Sequence, residues 1–356
     1  MIDQVFWQGK RVFLTGHTGF KGSWLSLWLG SLGAVVKGYA LIPPTFPSLF
    51  DEANVAQKID SEIGNIGDLN QLSASMIAFN PDILIHMAAQ PLVRLSYKQP
   101  IETYETNVMG TVKVLEAARN CPNLKSIVSV TTDKCYENKE WVWGYREDES
   151  MGGYDPYSSS KGCAELVTSA YRRSFMQEKG IGLASARAGN VIGGGDWADD
   201  RLIPDILKAF EHHQAVVIRN PMSTRPWQHV LEPLSGYLVL AQNLYQHPDQ
   251  YAEGWNFGPR DEDAKQVDWI LDCMVKKWPG TSWELDKDAH PHEAGYLKLD
   301  ISKAKSRLNW QPTWPLDKTL EKIVQWHQAW LNKENMQSVC LQEINEYMRD
   351  INNANH

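Results

Sequence analysis

The sequence lacks the patterns that would assign it to a disulfide-rich, nucleic-acid-binding or zinc-binding class. Its five cysteines, Cys121, Cys135, Cys163, Cys273 and Cys340, lie far apart without C-x-x-C spacing. There is no block of basic residues, and the formal net charge of the 356-residue chain is −8. We therefore expect a reducing compartment without a disulfide framework, and no nucleic acid or membrane partner.

Long apolar runs and metal-ligand spacings are also missing. The uncharged stretch between Lys21 and Lys37 is shorter than the ~20 residues needed to span a bilayer. The N-terminus does not have the layout of a signal peptide. His290 and His292 come nearest to a metal-ligand pair, and a loop is the preferred interpretation. These features predict a cytoplasmic globular protein without a metal centre.

A glycine-rich turn near the N-terminus is the strongest local pattern. The apolar run 12–14 predicts a buried strand, Gly16, Gly19 and Gly22 follow at intervals of three, and residues 23–29 are helix-like. Outward-pointing backbone N–H groups and a helix N-terminus together favour an anion such as a pyrophosphate. Because the spacing is not the commoner G-x-G-x-x-G, an ordinary turn remains the alternative.

Strands and helices then alternate along the first half of the chain. Strands are predicted at 34–41, 59–63, 82–89, 125–130 and 181–186, and long helices at 100–120 and 157–177. Repeated βα units predict an α/β fold with a doubly wound parallel sheet and ligands at the carboxyl ends of its strands. Gly16, Ala88, Thr132 and Arg187 each lie at such an end.

The pattern changes at about residue 190. We predict a dinucleotide-binding domain over 1–189, a smaller mixed α/β substrate-binding domain over 190–335, and a helical tail over 336–356. Segments at about 228–262 are expected to return to the first domain. The second strand does not end in an acidic residue that would bind the ribose hydroxyls. It also lacks an arginine that would bind a 2′-phosphate, and this second absence mildly favours NAD over NADP.

Tyr157 and Lys161 form a Y-x-x-x-K pair whose side chains share one face of a helix. To act as a base near neutrality, a tyrosine needs its pKa of about 10 lowered by ~3 units, or roughly 4 kcal/mol. One nearby cation contributes about 1–3 units. Lys161 together with a positively charged nicotinamide ring could supply this shift.

The glycine turn, Thr132 and the Tyr157/Lys161 pair together resemble the extended short-chain dehydrogenase/reductase family over nearly the whole chain. Other segments resemble the nucleotide-sugar 4,6-dehydratases within it: Ala88-Ala89-Gln90, Thr106 to Gly110, Thr131-Thr132-Asp133-Lys134 and Arg187-x-Gly189-Asn190-Val191. The Gly-Gly-Gly-Asp-Trp run at 193–197 and the segment 225–230 are most similar to members that act on CDP-glucose.

This resemblance implies a Rossmann-type fold, NAD as cofactor, CDP-glucose as substrate, deoxysugar (lipopolysaccharide) biosynthesis, and a homodimer through the helices near 100–120 and 157–177. The implied cofactor contacts are Gly16, His17, Thr18, Gly19, Phe20, Gly22, Asp68, Leu69, Ala88, Ala89, Gln90, Asn107, Tyr157 and Lys161. For Asp68, which opens a helix with Leu69, a purely capping role is the alternative. The implied substrate contacts are Arg94, Ser96, Arg187, Asn190, Arg201, Arg225 and His229.

The mechanism implied is an internal hydride transfer from C4 to C6 of the sugar. Tyr157, hydrogen-bonded through Thr132, takes the O4 proton, and Asp133 protonates the departing C6 hydroxyl. Related dTDP-sugar dehydratases carry Glu where this chain has Lys134, so the group that deprotonates C5 stays open between Lys134 and its neighbours. His17 is bulkier than the residue usual at its position, and we hypothesise that it weakens or gates NAD binding.

Three alternatives remain open at this point: a UDP-sugar 4-epimerase, a dehydratase of dTDP- or GDP-sugars, and a non-enzymatic dinucleotide sensor. Asp133 argues against the epimerase, because loss of hydroxide requires a general acid. The complete set of Thr132, Tyr157 and Lys161 argues against the sensor. No residue demonstrates by physical reasoning alone whether the nucleotide base of the substrate is cytosine, thymine or uracil.

Overall fold

The computed structural model describes residues 1–218, 220–286 and 297–354, so His290 and His292 lie outside the described residues. The strands are β1 (Arg11–Thr15), β2 (Val35–Ala40), β3 (Asp60–Ile63), β4 (Ile83–His86), β5 (Ser126–Val130), β6 (Gly182–Arg187), β7 (Val191–Ile192), β8 (Val216–Ile218), β9 (Thr224–Pro226), β10 (Gln228–His229), β11 (Gly254–Asn256), β12 (Ala264–Gln266) and β13 (Trp283–Leu285). The α-helices are α1 (Gln4–Trp7), α2 (Phe20–Ser31), α3 (Leu49–Glu52), α4 (Leu69–Phe79), α5 (Val93–Lys98), α6 (Pro100–Tyr104), α7 (Gly110–Ala118), α8 (Pro156–Tyr171), α9 (Leu202–Glu211), α10 (Leu231–Gln246), α11 (Pro248–Tyr251), α12 (Val267–Lys277), α13 (Ser302–Leu308), α14 (Leu316–Leu331) and α15 (Met336–Ala354).

Seven strands form one parallel sheet in the order β11-β6-β5-β4-β1-β2-β3. Every residue of β4, β5 and β6 is buried, because helices cover both faces of the sheet. The strand order reverses direction between β1 and β4, which is where such sheets open a ligand crevice at the carboxyl ends. The predicted doubly wound parallel sheet is confirmed.

The two long helices predicted beside this crevice are observed, but each contains an irregular turn. Residues Glu105–Met109 form a π-helical turn between α6 and α7, and Arg172–Met176 form another after α8. The first turn directs the Asn107 amide to the backbone of Gln90 and to Ser160 Oγ. Periodicity did not predict either turn, since a π-helical turn is a rare, single-turn irregularity inside an α-helix.

From Val191 onward, the described residues form three two-stranded sheets besides the large one: β10 with β7, β12 with β9, and β13 with β8. A separate apolar cluster packs beneath them, including Ile206, Phe210 and Ile270. By contrast, α10 and β11 pack with the main sheet, where Ser126 Oγ donates to the Ala241 carbonyl oxygen.

The C-terminal helix α15 packs against the first long helix, α2, and against α14. Tyr347 of α15 is fully buried, and its hydroxyl donates to Glu232 Oε2 at 2.6 Å. Glu232 also accepts from the backbone N–H groups of Thr313 and Trp314. Burial raises the pKa of Glu232 to about 7. These bonds hold the chain end onto α10.

Among the residues that the structure describes, no helix combines the length and the apolar composition needed to cross a membrane.

We predict that Tyr347→Phe lowers the free energy of unfolding by about 1–3 kcal/mol, because it removes a donor from the buried Glu232 carboxylate. Urea unfolding at pH 8, above the pKa of Glu232, measures the loss. Tyr154→Phe is the control, since Tyr154 is 100% exposed and should change stability by less than about 0.5 kcal/mol. Equal stability of the two variants would contradict the prediction.

Candidate active site

The glycine turn packs directly on the end of β4. Gly16 has φ +81°, and a Cβ atom there would lie 2.7 Å from the backbone nitrogen of Ala88. A Cβ atom on Gly22 would lie 2.0 Å from the Gly16 carbonyl oxygen. Only glycine fits either position, and the turn leads into the N-terminus of α2, which begins at Phe20. This arrangement suits the pyrophosphate of a dinucleotide.

His17 lies beneath this turn and points towards β2 and β3. The ring is fully buried, its Nε2 lies 2.7 Å from Ser61 Oγ, and it occupies the space over Gly38. Burial, assisted by the charge of Lys37, lowers the pKa of His17 to about 4. The imidazole is therefore neutral near pH 7 and acts by its volume rather than by charge. Thr18 donates to the Leu41 carbonyl oxygen and closes the same corner.

The segment after β4 is held by Asn107. Its Oδ1 accepts from the Gln90 backbone N–H at 2.8 Å, and its Nδ2 donates to the Gln90 carbonyl oxygen and to Ser160 Oγ. Asn107 is 1% exposed, and the Gln90 side chain bonds to Leu92 and Thr103. Both side chains therefore fix the backbone that follows Ala88 and Ala89, and contact of Asn107 and Gln90 with a cofactor remains a prediction.

Asp68 caps α4, and Leu69 is the first residue of that helix. The Asp68 carboxylate accepts from the backbone N–H groups of Asn70 and Gln71, both at 3.1 Å. The capping role predicted for Asp68 is confirmed. Contact of Asp68 and Leu69 with a cofactor remains a prediction.

Tyr157 and Lys161 lie one turn apart on α8, at the end of β5. Burial raises the pKa of Tyr157 to about 12, against a hydrogen bond with Thr132 that lowers it. Burial lowers the pKa of Lys161 to about 8, and its ammonium donates to the Val130 carbonyl oxygen at 3.2 Å. For the chain by itself, desolvation of the phenol outweighs the surrounding charges. The lowering predicted from Lys161 and an oxidised nicotinamide together remains a prediction.

Asp133 follows Thr132 and is 2% exposed. Its Oδ1 accepts from Thr132 Oγ1 at 2.9 Å, and its Oδ2 has no hydrogen-bond partner among the described residues. A buried carboxylate oxygen without a partner is costly, which is typical of a functional group rather than a turn cap. Lys134, by contrast, is exposed to solvent.

Lys21 is a site residue that the sequence reasoning missed. Its Nζ donates to Tyr237 Oη at 3.0 Å. Burial and the nearby charges of Lys161 and Arg201 lower the pKa of Lys21 to about 7. The signal was a cation between Gly19 and Gly22, in the first turn of a helix, where the helix dipole disfavours positive charge.

Three residues predicted to bind the substrate make contacts inside the protein. Arg187 is 4% exposed and ion-paired with Glu165 at 2.8 Å. Ser96 is fully buried and donates to the Val93 carbonyl oxygen. His229 is also fully buried, lies 3.0 Å from Glu343 Oε1, and packs between aromatic rings. Arg187 and His229 therefore have partners far away in the sequence, whereas Ser96 bonds within its own helix. Contact of these three residues with a substrate remains a prediction.

The remaining candidate substrate residues lie nearer the surface. Arg94 forms an exposed ion pair with Asp200 at 2.5 Å. Arg201 pairs with Asp196 at 2.7 Å, and its charge lowers the pKa of Tyr157, so it lies close to that phenol. Asn190 has φ +49° and stands just before β7, while Arg225 lies on β9. These positions leave all four residues as candidates for a substrate.

Comparison with known proteins agrees with this arrangement. The family model described as GDP-mannose 4,6 dehydratase matches residues 13–323. The chain is 63% identical over 354 residues to the CDP-glucose 4,6-dehydratase of Salmonella typhimurium, covering 98% of this chain and 99% of that protein.

Solved structures share the fold at low sequence identity. A UDP-glucose 4-epimerase of Thermotoga maritima, solved with UDP-glucose, superposes with a TM-score of 0.78 at 20% identity, covering 90% of this chain and 99% of that one. The dTDP-glucose 4,6-dehydratase of Bacillus anthracis, solved with NAD, gives 0.74 at 21% identity, covering 90% and 97%. The resemblance inferred from the sequence motifs is confirmed: the chain belongs to the GDP-mannose 4,6 dehydratase family of nucleotide-sugar enzymes.

Proposed function

We propose that this protein is a CDP-glucose 4,6-dehydratase that converts CDP-glucose to CDP-4-keto-6-deoxyglucose and water with bound NAD. The assignment of the reaction class rests on the buried Asp133, whose Oδ2 has no hydrogen-bond partner in the described part of the chain and lies beside the Thr132–Tyr157 pair. The choice of CDP-glucose rests on the relative that is 63% identical over nearly the full length of both chains.

The residues of the glycine turn fit NAD. The backbone of Gly16 to Gly22 would hold the pyrophosphate, and Ala88 and Ala89 would leave room for the cofactor at the end of β4. When bound, NAD would supply the hydride chemistry between C4 and C6 of the sugar and, in its oxidised form, the positive charge of its nicotinamide.

The chain's own groups then move protons. Tyr157 takes the proton from O4, which requires a lower pKa than about 12, so an added positive charge acts in the needed direction. Asp133 gives a proton to the departing C6 hydroxyl, since hydroxide is a poor leaving group. Lys134 or a neighbour assists at C5, and its exposure leaves it free to turn towards a substrate.

A UDP-sugar 4-epimerase is the second candidate, and it is favoured only by the shared fold. An epimerase needs Tyr157 and Lys161 but no acid at C6. A buried, partly unsatisfied Asp133 beside Thr132 has no use in that reaction, so we prefer the dehydratase.

The deciding experiment supplies CDP-, dTDP- and UDP-glucose carrying deuterium at C4. We expect turnover of CDP-glucose, loss of one water in the product mass, and deuterium at C6. Deuterium that is washed out into solvent, or retained at C4 without ketosugar, would contradict the proposed function. Preference for another nucleotide would contradict only the base assignment.

We predict that Asp133→Asn lowers product formation by about 100-fold or more, since the amide cannot donate the required proton. Oxidation at C4 should continue, so the absorbance of reduced cofactor should accumulate on mixing with CDP-glucose. Asp155→Asn is the matched control: it removes a negative charge from the same region but keeps a good helix cap. An equal loss of product formation in both variants would contradict the assignment of Asp133 as the general acid.

We also expect His17→Gly to tighten NAD binding by about 1 kcal/mol, or about fivefold in Kd, because the imidazole fills the space over Gly38, beneath the glycine turn. Calorimetric titration of the protein with NAD measures this. Ser61→Ala, which removes only the hydrogen bond to His17, should leave Kd nearly unchanged. An unaltered Kd for NAD in His17→Gly would contradict the hypothesis that His17 weakens or gates NAD binding.

We infer further that the protein is a cytoplasmic homodimer. Exposed apolar side chains on and beside α6, α7 and α8 support this: Ile101 at 73%, Met109 at 42% and Leu166 at 62% exposure. Such side chains on neighbouring helices suit a helix–helix interface. A single monomeric species in sedimentation velocity would contradict the dimer.

A further inference from the structure

A buried carboxylate on the helix that carries Tyr157 and Lys161 has no assigned role. Glu165 lies on α8 one turn beyond Lys161 and two turns beyond Tyr157, and it is 5% exposed. Its oxygens accept from Thr131 Oγ1 at 2.5 Å and from Ser185 Oγ at 2.6 Å. Glu165 therefore ties the catalytic helix to the ends of two strands.

Arg187 completes the set of donors. Its Nε and Nη2 donate to the two oxygens of Glu165 at 2.9 and 2.8 Å. Its Nη1 donates to Tyr136 Oη and to the Glu147 carbonyl oxygen. Although burial opposes ionisation, the charge and hydrogen bonds of Arg187 hold the pKa of Glu165 below its usual value. Glu165 is thus a charged group with its hydrogen bonds satisfied.

This carboxylate also acts on Lys161. Burial lowers the pKa of Lys161 to about 8, while Glu165 and, more weakly, Cys135 raise it. Lys21 on α2 and His86 on β4 face Lys161 from the other side, and each has its own pKa lowered by it. Among these groups, Glu165 opposes desolvation of the ammonium most strongly.

The same carboxylate controls the position of Thr132. Thr131, which donates to Glu165, immediately precedes Thr132, and Thr132 hydrogen-bonds with Tyr157. Lys161 in turn donates to Val130, the residue before Thr131. Three consecutive residues at the end of β5 are therefore connected to α8 by side-chain hydrogen bonds.

We propose that Glu165 is a positioning residue of this active site: its carboxylate fixes the ends of β5 and β6 against α8 and keeps Lys161 as an ammonium on the face of the helix that carries Tyr157. Its catalytic consequence rests on the proposed dehydratase function. The hydrogen bonds of Glu165 and the charge of Lys161 do not depend on that function.

The test replaces the carboxylate with an amide of the same shape. Glu165→Gln should lower kcat about tenfold or more, with KM for CDP-glucose changed by less than about twofold. The ammonium should lose its proton at lower pH, so the alkaline limb of the kcat profile should move down by about one unit. ¹⁵N NMR titration of the Lys161 amino group should show the same shift without any substrate.

Two further variants separate positioning from simple loss of stability. Glu165→Gln/Arg187→Met removes both buried charges, so thermal stability should partly recover while the pKa of Lys161 stays lowered. Thr131→Val keeps the carboxylate and should leave that pKa unchanged, with a smaller loss of kcat.

The proposal would be overturned if folded Glu165→Gln, or the folded double variant, kept the wild-type pKa of Lys161 and the wild-type alkaline limb of the kcat–pH profile. If wild-type protein fails to turn over CDP-glucose, the proposed function fails, and the NMR titration still decides the role of Glu165.

Discussion

The active site depends on the carboxyl ends of β1, β4, β5 and β6 meeting at one edge of a sheet that is buried on both faces. Because the strands are parallel, each delivers its following residues to the same edge. The glycine turn after β1 approaches β4 so closely that a Cβ atom on Gly16 would reach the backbone of Ala88. Space for a dinucleotide therefore results from backbone packing rather than from mobile side chains.

The same burial governs the charges at this edge. Desolvation lowers the pKa of His17 to about 4, of Lys21 to about 7 and of Lys161 to about 8, and raises that of Tyr157 to about 12. Each shift favours the neutral form of the group. A charged ligand consequently has a large effect here, since little water screens it.

Buried ion pairs and polar contacts hold this edge to the rest of the chain. Glu165 and Arg187 join α8 to β6, while Glu343 of α15 faces His229 at the end of β10. Trp24 of α2, the helix that follows the glycine turn, packs edge-on against His229. One packed unit therefore includes helix α2, the segment from β9 to β10 that carries Arg225, and the C-terminal helix α15.

Local spacing in the sequence determined the glycine turn, the alternation of strands and helices, and the shared face of Tyr157 and Lys161, because each depends only on residues a few positions apart. It also placed Asp133 directly after the strand end and Asp68 at a helix start. Only the tertiary structure decided which polar residues are available to a ligand. Arg187 is ion-paired with Glu165, and His229 lies against Glu343. Asn107 is hydrogen-bonded to Gln90 and Ser160. Those partners lie far away along the chain, and sequence spacing does not report contacts made by folding.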